Sequence, residues 1–413
     1  MRLRRKLIYT VFVIGIYILG KNIPLPGVVR QTNILSAENN LMSMIELVLG
    51  SDSEQTSIFA LDLAPWMTAS IIVQLSSMAG GRNNARTSSI AIQRRTRWMA
   101  LFFAVVNACI RSSSMELASG IFENAFLTRA MVILVMVTGA FVVLWLAEQN
   151  KEKGLGGVIC IILVNILRNL VQIIGETLVD IRQGQYDSAQ GLLVLGLIVL
   201  FAVGGMVAMV ILENGEIHLA VQRVLIDSEM EKENYFAMKA NPAGMQAMMY
   251  VMAFYLVPYY IICILQMIWP ENAMISSVAG GFNLYHPLGL ALYVFMYLLI
   301  AVSLAYVQIS PSDIAQQMEE KGDCIVGVRP GHDTEICLKR IVLHYALISA
   351  LILGSIMGAA MSLRVAFSLD SDIVMLPVLI MILSGIMQNI LSEVRTMKVL
   401  DQYKPLLGEN EIR

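Results

Sequence analysis

Ten apolar, charge-poor segments alternate with polar segments along the chain. They lie at about 7–23, 58–79, 97–117, 127–148, 155–175, 191–212, 246–268, 287–309, 339–360 and 373–391. Each is close to the roughly 20 residues that a helix needs to cross a bilayer. Lipid offers no partners to unpaired backbone groups, and the segments lack the alternation of barrel strands. The pattern therefore predicts an all-α integral membrane protein with ten transmembrane helices.

Composition narrows the class of protein further. Of the 413 residues, 57% are hydrophobic and 15% are charged, whereas soluble domains carry about 25% charged residues. The five cysteines form no C-x-x-C pair, so neither a disulfide framework nor a zinc site is expected. No domain-sized basic face remains outside the spans, so nucleic acid is not expected as a partner.

The distribution of lysine and arginine predicts the orientation. If the N-terminus is cytosolic, the two termini and the cytosolic connections hold 22 of the 29 Lys and Arg residues. The basic start of the chain resembles a secretory signal, but no small-x-small cleavage site follows, so it is interpreted as an uncleaved first span. Both termini are then cytosolic.

Ten spans divide into two sets of five. An N-terminal half at 1–186 and a C-terminal half at 187–413 would enter the membrane in opposite directions, as in proteins with inverted repeats. Two long polar connections of the second half, 213–245 and 310–338, would stand in the cytosol. Long loops on a rigid scaffold commonly bind partners.

Catalytic motifs are missing from the sequence. It contains no H-E-x-x-H, no G-x-S-x-G and no Walker loop, and its four histidines are scattered. The glycine-rich stretch at 154–157 precedes a span and is interpreted as a tight turn. No enzyme, cofactor or metal site is expected. Asp62 lies early in span two and should face water or protein, because a carboxylate at a helix centre is costly in lipid.

Five short motifs occur in order along the chain. Ile-Pro-Leu-Pro-Gly at 23–27 closes span one, and Ser-Ile-Phe-Ala-Leu at 57–61 begins span two. Pro-Trp-Met-Thr-Ala-Ser-Ile-Ile-Val-Gln follows at 65–74, Asn-Pro-Ala-Gly at 241–244 opens span seven, and Gly-Val-Arg-Pro-Gly at 327–331 precedes span nine. Together they resemble SecY, the central subunit of the bacterial protein-conducting channel, and the resemblance covers nearly the whole chain.

The resemblance implies a mechanism. In the SecY family two five-helix halves clamp an hourglass pore that is sealed by a waist of apolar side chains and plugged by a short outer helix. The plug would be the segment at 36–50. All the implied waist positions are apolar, as a dewetting seal requires. By register they are Leu63, Met67, Ile159, Leu163, Met249 and Ile382.

The family's halves part sideways between spans two and seven, which lets apolar segments leave into membrane lipid. The implied lateral-gate residues are Thr68, Gln74, Asn241 and Val257. For Gln74 and Asn241, ordinary hydration of helix ends is an open alternative. Arg329 matches the loop arginine that meets the SecA motor ATPase or the ribosome, with a solvated loop charge as the alternative. Further implied partners are small SecE- and SecG-like subunits and an unfolded secretory protein.

Several positions depart from the common family pattern. The connection at 213–240 has a net charge of −3 where the family is usually basic, and such a loop would repel ribosomal RNA. Asp62 replaces an expected glycine, and Gly157 and Val158 replace an expected Asn-Gly. With the Tyr-Lys-Pro tail at 403–405, these features resemble the accessory SecY branch of certain Gram-positive bacteria.

The accessory branch exports serine-rich, glycosylated surface proteins across the cytoplasmic membrane with a dedicated accessory SecA. Two alternatives stay open at the level of sequence. One is a housekeeping SecY for general secretion and membrane-protein insertion. The other is a secondary transporter built from an inverted repeat, for which few ionisable residues within the spans are available.

Overall fold

The computed structural model describes residues 2–28, 57–79, 89–115, 124–182, 189–222, 235–268, 281, 286–367 and 372–402. The expected plug at 36–50 and the tail motif at 403–405 lie outside the described residues. So does part of the acidic connection, at 223–234. The described residues include nine of the ten predicted spans in full and all but the last two residues of span three.

Each predicted span contains a long helix. Among the described residues, six helical stretches are long and apolar enough to cross a membrane by length and composition alone: Phe126–Lys153, Val158–Arg182, Gln190–Asn214, Pro287–Lys321, His332–Phe367 and Ile373–Val399. The helices are α1 (Arg2–Lys21), α2 (Ala64–Ala79), α3 (Ser89–Ser114), α4 (Ala125–Lys153), α5 (Val158–Arg182), α6 (Ala189–Asn214), α7 (Gly244–Ile268), α8 (Pro287–Ile309), the short α9 (Pro311–Lys321), α10 (His332–Phe367) and α11 (Leu376–Gln402).

Span two differs from its sequence prediction. The apolar run at 58–79 predicts one helix, but residues 58–63 form turns and α2 begins only at Ala64. Pro65 explains the boundary, because proline lacks an N–H donor and is tolerated in the first turn of a helix. Met67 N still donates to Leu63 O at 3.0 Å. The two waist residues of this span are therefore joined by a helical hydrogen bond although Leu63 precedes the helix.

The two long connections fold together, which the all-α prediction did not include. Strands β1 (Glu216–Gln222) and β2 (Tyr235–Lys239) come from the first connection, and β3 (Cys324–Ile325) comes from the second. They form an antiparallel sheet in the order β2-β1-β3. Apolar residues of the sheet, α9 and the start of α10 make a small core of their own: Val221, Ala315, Met318, Ile325 and Leu338.

Tight turns at two places set the direction of the chain between helices. At the turn from α4 to α5, the Asn150 amide donates to the backbone oxygens of Leu155 and Gly157 at 2.8 and 3.1 Å. Gly156 and Gly157 have φ angles of 69° and 49°, which favour glycine. The glycine-rich stretch is thus a structural turn into α5. At the other turn, Ser310 ends α8 and Pro311 starts α9.

Glycines also allow close packing between α8 and α10. A Cβ atom at Gly354 would lie 3.1 Å from the Tyr297 ring, and one at Gly358 would lie 3.1 Å from Val294. This spacing of small residues on one helix face lets two backbones approach. The G-x-x-x-G pair in span nine therefore serves helix packing.

Candidate functional site

The six expected waist residues lie in one hydrophobic cluster. Leu63, Met67, Met249 and Ile382 are buried members of it, while Ile159 and Leu163 are partly buried and pack against it. They come from four different helical segments: the start of α2, α5, α7 and α11. An apolar surface built from several helices can exclude water and ions from a narrow passage by dewetting.

The helices that carry the waist residues pack as a chain of neighbours. Helix α2 packs against α7, α7 against α11, and α11 against α5. Helices α2 and α5 belong to the first five spans, while α7 and α11 belong to the last five. Two of these four helices thus come from each set of five spans, and the contacts of α2 with α7 and of α11 with α5 join the two sets.

The contact between α2 and α7 corresponds to the expected lateral gate. Thr68 is buried, and its Oγ1 lies 3.0 Å from Ala64 O on its own helix and 3.4 Å from Ala253 O on α7. Val257 is partly buried and packs on the same hydrophobic cluster. Met67 of α2 and Met249 of α7 are buried members of that cluster, so apolar packing contributes to the contact between the two helices.

The other two expected lateral-gate residues lie in the second half of α2 and just before α7. Gln74 is half-buried on α2, and Asn241 is buried just before α7. Asn241 Oδ1 accepts a hydrogen bond from Gly244 N at 3.1 Å, which caps the start of α7. Its Nδ2 is buried and has no hydrogen-bond partner among the described residues. Asn241 thus has a structural role at a helix start and one unused donor.

The loop that carries Arg329 is held at both ends. Val326 N donates to Ala220 O of β1 at 3.2 Å, and Thr334 Oγ1 donates to Arg329 O at 2.8 Å. Gly327 and Gly331 have φ angles of 84° and 96°, which turn the chain tightly on either side of the arginine. The Arg329 side chain is exposed. A rigid loop with an exposed guanidinium is suited to contact with another protein.

A buried polar cluster beside the waist was not predicted as a unit. It consists of Tyr17 and Lys21 of α1, Asp62 before α2 and Asn165 of α5. Lys21 Nζ lies 3.3 Å from Asp62 Oδ2, and Asn165 Nδ2 donates to the same oxygen at 2.7 Å. The sequence signal was the lone Asp62 within an apolar segment, which requires a partner, but nothing in the sequence said which residue would provide it.

No part of the described structure suggests a metal centre. Among the described residues, no group of three or more His, Cys, Asp and Glu side chains is placed to hold an ion. The candidate site consists of a buried apolar cluster, a contact between α2 and α7, and a loop with an exposed arginine.

Comparison with known proteins identifies this arrangement. The family model described as SecY matches residues 57–391. The chain belongs to the SecY family. The resemblance inferred from the motifs at 57–61, 65–74, 241–244 and 327–331 is thereby confirmed, since all four lie within the matched region.

Named relatives place the chain near one branch of that family. It is 25% identical over 404 residues to the accessory Sec system protein translocase subunit SecY2 of Streptococcus salivarius, covering 97% of both proteins. It is 28% identical over 411 residues to the protein of the same name from Streptococcus pneumoniae serotype 4, covering 98% of both. This similarity to accessory SecY2 proteins agrees with the departures seen in the sequence.

The fold is also similar to that of a solved channel. The structure of a protein conducting channel matches with a TM-score of 0.67 at 14% identity, covering 98% of this chain and 95% of that one. The helices described above are therefore arranged as in the SecY channel fold.

Proposed function

We propose that this chain is the central pore subunit of an accessory Sec translocase in a bacterial cytoplasmic membrane. The supporting observation is its similarity, over nearly its whole length, to proteins named accessory SecY2. By the same analogy, its substrates are unfolded secretory proteins, and among them the glycosylated serine-rich surface proteins of Gram-positive bacteria. The chain acts as a passive channel.

The proposed channel consists of two halves of opposite orientation, α1–α5 and α6–α11. Both termini lie in the cytosol, as the lysine and arginine distribution favours. The sheet and α9 then stand on the cytosolic side. The six expected waist residues form the seal, and the seam between α2 and α7 forms the lateral gate to lipid.

A separate SecA-type ATPase supplies the energy in this proposal. The two connections that form the sheet are acidic: residues 213–240 have a net charge of −3 and residues 310–338 a net charge of −4. Such a surface disfavours contact with ribosomal RNA. It favours a protein motor over a ribosome as the partner at Arg329. Small SecE- and SecG-like subunits complete the proposed complex.

Replacing Arg329 with glutamate is expected to weaken motor binding by about tenfold or more, because it turns an attractive exposed charge into a repulsive one. The measurement is binding of the accessory SecA to the channel in nanodiscs, with ATPase stimulation as a second readout. Lys321→Glu makes the same charge change at the end of α9 and is the control. Equal losses in both variants would show that net charge, and not the Arg329 loop, determines docking.

Affinity purification of the full chain from its native membrane tests the function as a whole. Recovery of a second, non-housekeeping SecA with small membrane subunits is the expected result. Recovery of ribosomes and the housekeeping SecA in its place would contradict the accessory function and support a general secretion channel.

A further inference from the structure

The polar cluster beside the expected waist residues places a lysine and an aspartate in contact inside the protein. The exposed fractions of its side chains are 0% for Tyr17, 4% for Lys21, 2% for Asp62 and 1% for Asn165. A buried ion pair contributes little net stability, because removing both charges from water costs about as much as their attraction returns. The pair is therefore better explained by the arrangement it specifies than by the stability it provides.

Three donors converge on a single carboxylate oxygen. Asp62 Oδ2 accepts from the Tyr17 hydroxyl and from Asn165 Nδ2, and Lys21 Nζ lies 3.3 Å away. Lys21 Nζ also donates to Asn165 Oδ1 at 2.7 Å. Asp62 Oδ1 is buried with no partner in the described part of the chain. The carboxylate is thus held in one orientation by α1 on one side and α5 on the other.

Two residues of the cluster are close in sequence to expected waist residues. Asp62 directly precedes Leu63, and Asn165 follows Leu163 by two residues on α5. Packing joins α2 to α7, α7 to α11 and α11 to α5. The hydrogen bond from Asn165 to Asp62 joins α5 back to the start of α2. The four segments that carry the waist residues are therefore connected in a closed circuit.

The backbone at Asp62 depends on these contacts. Its φ angle is 47°, in the left-handed region that favours glycine. The preceding turn is docked on α1, where the Phe59 ring stacks on Tyr17 with centroids 6.1 Å apart. A Cβ atom at Gly20 would lie 2.0 Å from that ring. The hydrogen bonds and the lysine contact of the Asp62 side chain offset the free-energy cost of its backbone conformation. They also fix the position of Leu63, from which the chain enters α2.

We propose that Tyr17, Lys21, Asp62 and Asn165 form a waist clamp, a positioning device that fixes Leu63 and Met67 relative to α1 and α5 and so sets the tightness of the closed seal. This inference rests on the proposed pore function. All four residues belong to α1–α5, so parting of α2 from α7 leaves the clamp intact. The clamp keeps one side of the waist rigid, whereas the gate seam relies on apolar packing.

The test compares Lys21→Met, Asp62→Asn and the double variant carrying both changes. Each single variant leaves one buried charge unpaired and is expected to lower the melting temperature, whereas the double variant removes both charges and regains it. All three are expected to raise ion flux across proteoliposomes about tenfold, because Leu63 and Met67 are no longer held in one position and the closed waist seals less tightly. A tenfold change is of the size expected for the loss of one hydrogen bond to a charged group. Flux reports the seal separately from folding.

Lys239→Met is the matched control. Lys239 Nζ also pairs with a buried carboxylate, 3.3 Å from Glu213 Oε1, but it lies in β2 away from the waist. It is expected to leave ion flux unchanged. A double variant that recovers its melting temperature and is as tight as the unmodified channel would overturn the clamp. If replacing Met67 and Ile382 by serine makes the channel leak while the Lys21→Met, Asp62→Asn double variant stays tight, the clamp alone is wrong. If neither leaks, the proposed pore is wrong as well.

Discussion

Ions are expected to cross the closed channel when Met67 and Ile382 are both replaced by serine. The two side chains are buried at expected waist positions, on α2 and α11 respectively. Serine is much smaller and carries a hydroxyl, so the double change both widens the passage and lets water wet it. Truncating a buried Met or Ile to Ala costs about 2–5 kcal/mol of stability, and serine is expected to cost a similar amount at each site.

Conductance in planar bilayers is the measurement, with the resting channel in place and no substrate added. Leu353→Ser is the control for stability, because Leu353 is equally buried but lies on α10, outside the expected waist. It should destabilise the protein without a leak. Unchanged conductance in the Met67 and Ile382 variant would remove these residues from the pore.

Gly139→Ala is expected to be among the most damaging single substitutions outside the waist. A Cβ atom at this position would lie 2.0 Å from the backbone oxygen of Ile58. Because the clash involves backbone, no side-chain rotation relieves it, and the turn before α2 would have to move. Overpacking of this kind typically lowers the free energy of unfolding by about 1–3 kcal/mol and occasionally by more. For Gly139→Ala we expect a loss of about 3 kcal/mol or more.

The melting temperature in detergent and the export of a substrate protein test this prediction together. Gly15→Ala is the matched control, because a Cβ atom at Gly15 of α1 would meet nothing within 4 Å. Alanine favours helix over glycine by about 1 kcal/mol, so this control should be neutral or slightly stabilising. Equal stability of the two variants would show that α4 does not press on the turn at Ile58.

The sequence predicted the elements of this fold far better than their ends and contacts. It predicted a helix in each apolar segment, because in lipid a segment must satisfy its backbone groups within itself. It did not predict that span two starts with turns before Ala64, nor that β1 pairs with β3 across spans seven and eight. Such pairings depend on residues that are distant in sequence and carry no local signal.

In the candidate site too, the sequence predicted individual residues but not the contacts between them. Apolar residues at the expected waist positions, the exposed Arg329 and the anomaly of Asp62 could all be read from the sequence with the family resemblance. The contacts among Lys21, Asp62 and Asn165 could not be predicted from the sequence. They depend on how three elements pack together, namely α1, α5 and the turn that precedes α2.

By itself, the sequence determined that this is a multi-pass membrane protein with ten apolar segments and that its motifs resemble those of SecY, since hydrophobic length and short motifs are local properties. Only the tertiary structure decided which charge Asp62 meets, where α2 begins and how the two long connections join. Those outcomes depend on long-range packing, in which a buried polar group is tolerated only when a distant part of the chain brings its partner into place.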